Sequence, residues 1–103
     1  MNDRAREVLT QAALKGIKQI KGALRDDTGF CAIGVLSNEV CRWYKDAMGW
    51  YAYGVSQWDV AQIYDLTERE WEDIVDANNN KGWDFLTIAR KIGVKEESNG
   101  TLD

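Results

Sequence analysis

Cys31 is the side chain best placed for nucleophilic chemistry. It stands at the start of a predicted helix, where unpaired backbone N–H groups and the positive end of the helix dipole favour a thiolate. A cysteine nucleophile needs a base, however, and the 103-residue chain contains no histidine. Catalytic triads, Cys–His dyads, His-ligated zinc and switching near neutral pH all lose their usual residue. Cys31 therefore reads as a small buried hydrophobe, and a Cys31-dependent enzyme or redox sensor is the least favoured alternative. Cys41 lies ten residues on, about 15 Å along a continuous helix and on another azimuth, which excludes an intrachain disulfide if that helix is unbroken.

Glu68, Glu72 and Asp76 recur every four residues and share one face of a predicted helix. Like charges at this spacing cost about 0.2–0.5 kcal/mol per pair, and only Arg69 and Asp73 form a compensating pair there. A solvated face explains the stripe, as does a basic partner surface. No calcium-loop spacing accompanies it, so neither a metal nor a cofactor is expected. Six of the eleven aromatic residues fall between Trp43 and Trp58. A domain of this size cannot bury them all, and Trp and Tyr are favoured interface anchors. Trp50, Tyr51, Tyr53 and Trp58 are the candidate partner-binding anchors, with Glu68, Glu72 and Asp76 as an electrostatic rim. Only Lys45 interleaves a cation, so stacking on nucleic-acid bases is less favoured than partner contact. Lys15, Lys18, Lys21 and Arg25 offer an alternative nucleic-acid-binding group: residues 1–25 carry net +4, whereas the whole chain carries −4. A small-ligand pocket walled by aromatics and Gln19 stays open as a further reading.

These side chains need elements to hold them, and 103 residues suffice for one domain. Asn2 caps an amphipathic helix over 2–15 with Ala5, Val8, Leu9, Ala12 and Ala13 on its apolar stripe; Gly16 breaks it, or Ile17, Ile20 and Leu24 prolong it. A turn-rich patch follows at 22–29. The spacing then predicts a central helix over 30–48, with Phe30, Ile33, Leu36, Val40, Trp43, Tyr44 and Ala47 inward. Trp50–Val55 is an aromatic stretch that can alternatively form a short strand or hairpin edge. Ser56 caps a short helix over 57–64. Leu66-Thr67-Glu68-Arg69-Glu70-Trp71 fits a capping box with a hydrophobic staple. A last helix runs over 83–92, with Phe85, Ile88, Ala89 and Ile92 inward and Gly93 as its stop. The expectation is an all-α fold: a bundle of four to five helices around the aromatic-rich helix 30–48, ending in a helical hairpin over 67–92. Residues 1–94 form one helical domain, and 95–103 a disordered polar tail. No run is long and apolar enough for a membrane span, and the N-terminus lacks the pattern of a signal peptide, so a cytoplasmic address is expected.

Two stretches carry a family likeness. Lys18-Gln19-Ile20-Lys21-Gly22-Ala23-Leu24-Arg25, followed by Gly29-Phe30-Cys31-Ala32-Ile33-Gly34-Val35-Leu36, resembles small proteins of phages and prophages that read Y-x-Q-x-x-G-x-L and then [YF]-C-C-L-G-V-L-C. Leu66-Thr67, Ile74, Asn78, Phe85, Ile88, Ala89 and Ile92 match the C-terminal part of that pattern. Ala32 stands where a second cysteine is common, and Asn79 where an aspartate is. The resemblance implies a viral setting, hence the cytoplasm of a host cell, and assigns no activity. The expected function is that of a non-enzymatic interaction protein binding a host or phage macromolecule, in its sharper form an inhibitor of a host or defence protein.

Overall fold

The computed structural model describes residues 1–94; the polar tail expected at 95–103 lies outside the described residues. Helix α1 covers Asp3–Leu14, α2 Ala32–Asn38, α3 Gln57–Ile63, α4 Glu68–Asp76 and α5 Phe85–Lys91. A π-helical turn, Ala77–Lys81, extends α4. Strands β1, Arg42–Asp46, and β2, Gly49–Tyr53, form an antiparallel hairpin. The fold is therefore α+β, which corrects the all-α expectation.

The correction centres on the predicted helix 30–48. Only Ala32–Asn38 is helical. Its aromatic second half becomes β1, pairing Trp43 with Ala52, Tyr44 with Tyr51 and Lys45 with Trp50. Apolar residues at helical spacing misled here because Trp43 and Tyr44 gain more from cross-strand neighbours on a pleat than from a helix face. The strand alternative for the aromatic stretch is the observed one, β2. Gly49, the residue just past the predicted helix 30–48, opens β2 at φ +130°.

Elsewhere the local signals hold. The Asn2 side chain accepts from the Ala5 N–H and caps α1. Gly16 adopts φ +72° just beyond it, where a Cβ would be strained. Ser56 and Thr67 each close a reciprocal capping box, with Asp59 and Glu70. The buried stripe of α1 (Ala5, Leu9, Ala12) packs chiefly on that of α5 (Phe85, Ile88, Ala89). Helix α5 thus leans on the N-terminal helix more than on α4, its expected partner in a helical hairpin over 67–92. Tyr64 is fully buried and donates its hydroxyl hydrogen to the Leu36 carbonyl at 2.7 Å.

Between α1 and α2 the chain is irregular yet tightly held. The Phe30 N–H donates to the Lys18 carbonyl, and the Phe30 carbonyl accepts from the Ile20 N–H, both at 3.0 Å. Asn78, 2% exposed on the π-turn, locks this segment in place. Its Oδ1 accepts from Gln19 Nε2 at 2.7 Å and from the Ala32 N–H at 3.0 Å. Its Nδ2 donates to the Ile20 carbonyl at 2.8 Å and to Asn79 Oδ1 at 2.9 Å. All four hydrogen-bonding positions of the buried amide are used.

Glu70 ties the chain's first residue to α4: the Met1 ammonium donates to its two carboxylate oxygens at 3.0 and 2.9 Å. Burial raises the Glu70 pKa, but the Thr67 backbone N–H and the ammonium outweigh it, and the carboxyl titrates below its ordinary 4.5. A folded pKa below the unfolded one means stabilisation present above about pH 4.5 and lost as the pH falls through the folded value. Glu70→Gln keeps a capping side chain while removing the charge. It is expected to lower the melting temperature at pH 7 and to flatten the fall in stability between pH 5 and 3. Thermal melts across that range check this, and parallel acid limbs for the two proteins would contradict it.

Candidate functional site

The seven candidate partner-binding residues do not share one surface; six of them divide into three settings, and Asp76 stands apart. Tyr51 and Tyr53 are exposed on the outer face of the hairpin, joined by Tyr44 opposite Tyr51. The alternation of a strand sorts them there, away from Trp43, Trp50 and Ala52.

Trp50 belongs to the second setting. It is half-buried, and the Arg25 guanidinium lies 3.8 Å from its ring centroid, 4.7 Å from that of Phe30 and 5.3 Å from that of Trp43. The Trp50 indole N–H donates to Asp27 Oδ1 at 2.7 Å, and Lys45 Nζ donates to the same carboxylate at 2.9 Å. Those two bonds hold Asp27 below its usual pKa, the Lys45 bond contributing most. This cluster fastens the hairpin to the loop before α2 through cation–π contacts, whose strength rises as the cation is desolvated. Trp50 is therefore a fastening of the fold, and so is Arg25. Of the four basic residues grouped in the sequence, Lys15, Lys18 and Lys21 remain exposed, while Arg25 faces its aromatic cage.

The third setting brings Trp58, Glu68 and Glu72 together. The Ser56 and Thr67 caps start α3 and α4 so that these helices wall a groove of about 360 Å³. Trp58, 69% exposed, stands in the first turn of α3. Leu66 and Trp71 supply apolar lining, and Glu68 and Glu72 supply negative charge from α4. Asp76, one turn further along, is engaged elsewhere: its carboxylate accepts from Asn80 Nδ2 at 2.8 Å and lies 3.9 Å from Lys81 Nζ. Trp71 is the residue that sequence reasoning assigned only a stapling role. It also lines a second cavity of about 350 Å³, with Leu24, Cys31 and Val75, and a third of about 90 Å³ beneath the hairpin. Trp58 and Trp71 both line the groove, on helices joined through the turn at Asp65, which takes φ +53°.

Cys31 caps α2, its Sγ accepting from the Gly34 N–H at 3.3 Å. Burial pushes its thiol up from the ordinary 9.0, and the hydrogen bond from Gly34 only partly offsets this. The position expected to favour a thiolate thus holds a protonated thiol at neutral pH, because desolvation outweighs the short helix's dipole. The helix proposed to separate Cys31 from Cys41 ends at Asn38, yet both residues are free thiols. Among the described residues, no group of three or more Cys, Asp or Glu side chains could hold a metal ion, and no helix is long and apolar enough to cross a membrane. No protein-family model, curated protein or solved structure matches the chain.

Proposed function

We propose that this chain is a non-enzymatic interaction protein that holds a partner protein in the groove between α3 and α4. The observation that carries this reading is the convergence of an exposed Trp58, a half-buried Trp71 and the carboxylates of Glu68 and Glu72 on one open apolar concavity. A large aromatic beside desolvating neighbours, edged by charge, is the composition of a binding hot spot and its rim. The raised pKa of Cys31 and the lack of any histidine support a role without proton transfer or nucleophilic attack. The likeness of residues 29–36 to small phage proteins supports a viral setting and the host cytoplasm as the place of action. There, blocking a host or defence protein is the sharper form of this reading.

A nucleic-acid role through Lys15, Lys18 and Lys21 is weaker support for function, because Arg25, the fourth member of that group, is spent on Trp50. Affinity capture from host cells, read by mass spectrometry, tests the choice. A partner protein is expected on the parent chain and on a Tyr51→Ala/Tyr53→Ala variant, and it is lost with Trp58→Ala. Trp58 is exposed enough for its removal to leave the helical circular dichroism intact. Capture indifferent to Trp58, or turnover of a substrate that disappears with Cys31→Ser, overturns the reading.

A further inference from the structure

The groove's occupant can be specified from its shape and charge. We infer that the α3–α4 groove takes a basic amphipathic α-helix of the partner, an inference that rests on the reading above.

The walls of the groove are helices, in which only the first-turn N–H groups and last-turn carbonyls lack an intrahelical partner. They present no open strand edge along which an extended segment could hydrogen-bond. A segment entering an apolar groove must therefore satisfy its own N–H and C=O groups, which a helix does. Trp71 also shapes what the groove can take. Two cavities of similar size, about 360 and 350 Å³, share Gln57 and Trp71 in their lining. Trp71 thus separates the groove from the cavity beside Leu24 and Val75, and a large apolar side chain of the incoming helix packs in the groove against its ring.

Charge settles the sign of the occupant. Residues 56–76 carry seven acidic residues and the single base Arg69. Arg69 lies 3.3 Å from Asp73 and is thereby partly neutralised. Glu68 and Glu72 form no hydrogen bond or salt bridge through their carboxylates among the described residues, and both border the concavity. Lysine or arginine on the flank of an incoming helix reaches these carboxylates while its stem lies along Trp58, gaining ion-pair and cation–π contact together. The like-charge repulsion between Glu68 and Glu72, spaced i and i+4, is relieved in the same step.

Four fluorescent 18-residue peptides, the first two built of Leu and Lys, test this by anisotropy near physiological salt. One has helical periodicity, one has the same composition with strand periodicity, one carries Glu in place of Lys, and one is a proline-rich arginine peptide. Only the helical basic peptide is expected to bind with appreciable affinity. Glu68→Lys with Glu72→Lys should weaken it about tenfold or more, as should Trp58→Ala, whereas Glu7→Lys on α1 should not. The inference is overturned if no peptide binds, if another peptide binds as tightly, or if the paired reversal on α4 acts no more strongly than the one on α1. If the peptide results fail while capture of the cellular partner still requires Trp58, the interaction reading stands without this occupant. If capture ignores Trp58, both fall.

Discussion

Asn78→Ala is expected to remove much of the stability of the domain. Truncation leaves the Ala32 N–H and the Ile20 carbonyl without the partner that now satisfies them, while the Gln19 amide keeps its bond to the Trp83 carbonyl. Ala32 is fully buried, and its N–H has no route to water. Each orphaned buried group costs about 1–3 kcal/mol, so the loss of two is about 2–6 kcal/mol. Domains of this length are stable by only about 5–15 kcal/mol, and each kcal/mol lost lowers the melting temperature by about 4–8 °C. A fall of roughly 10–40 °C should appear in a thermal melt followed by circular dichroism. Asn80→Ala is the internal comparison: among the described residues its side chain bonds only to exposed Asp76, and its loss should change stability by less than about 0.5 kcal/mol. Equal effects of the two substitutions would refute the hub role of Asn78.

Gly34→Ala should be similarly damaging, against the usual direction for such a change. Alanine in place of glycine inside a helix normally stabilises by about 0.5–1 kcal/mol. A Cβ at Gly34, however, would lie 1.8 Å from the Leu24 carbonyl oxygen. That oxygen accepts from the Cys31 N–H at 2.9 Å, so it cannot retreat without opening the joint between loop and helix. A cost of about 3 kcal/mol or more follows from overpacking against an immobile backbone. Gly22→Ala gives the scale. Gly22 sits at φ +81° with nothing within 4 Å of the added atom, so only backbone strain of about 1–2 kcal/mol applies. Urea titration of the three proteins ranks them, and a Gly34→Ala domain as stable as its parent would rule this packing out.

Both substitutions fall among the residues through which the chain resembles small phage proteins. Gln19, Gly22, Gly34 and Asn78 all meet at the junction of the 17–31 segment with α2 and the π-turn. Gln19 and Asn78 are hydrogen-bonded, Gly22 N–H donates to Asn79 Oδ1 at 3.1 Å, and Gly34 touches the backbone of Leu24. Gly29 belongs with them, since a Cβ there would lie 2.2 Å from the Lys18 carbonyl oxygen. These residues hold backbone against backbone, which accounts for them without catalysis. The groove that we propose as the working surface lies on the neighbouring face, where Trp58, Glu68 and Glu72 have no such duty.

Local chemistry made much of this protein legible in advance. The caps at Asn2, Ser56 and Thr67, the stops at Gly16 and Gly93, and the inward faces of α1 and α5 are set by residues within four or five positions of each other, so the chain alone specified them. The exposure of Trp58 and the shared face of Glu68 and Glu72 were legible for the same reason. Three things were decided only in three dimensions. Trp43 and Tyr44 joined a hairpin because strand partners become available only when Trp50–Ala52 folds back over them. Trp50 was withdrawn from the surface by Arg25, a residue twenty-five positions away, and Trp71 became the centre of the groove through the angle between α3 and α4. Short-range hydrogen bonds and periodicity act through the covalent neighbourhood, whereas cation–π stacking, cross-strand pairing and the fit of one helix against another depend on distances that no local pattern encodes.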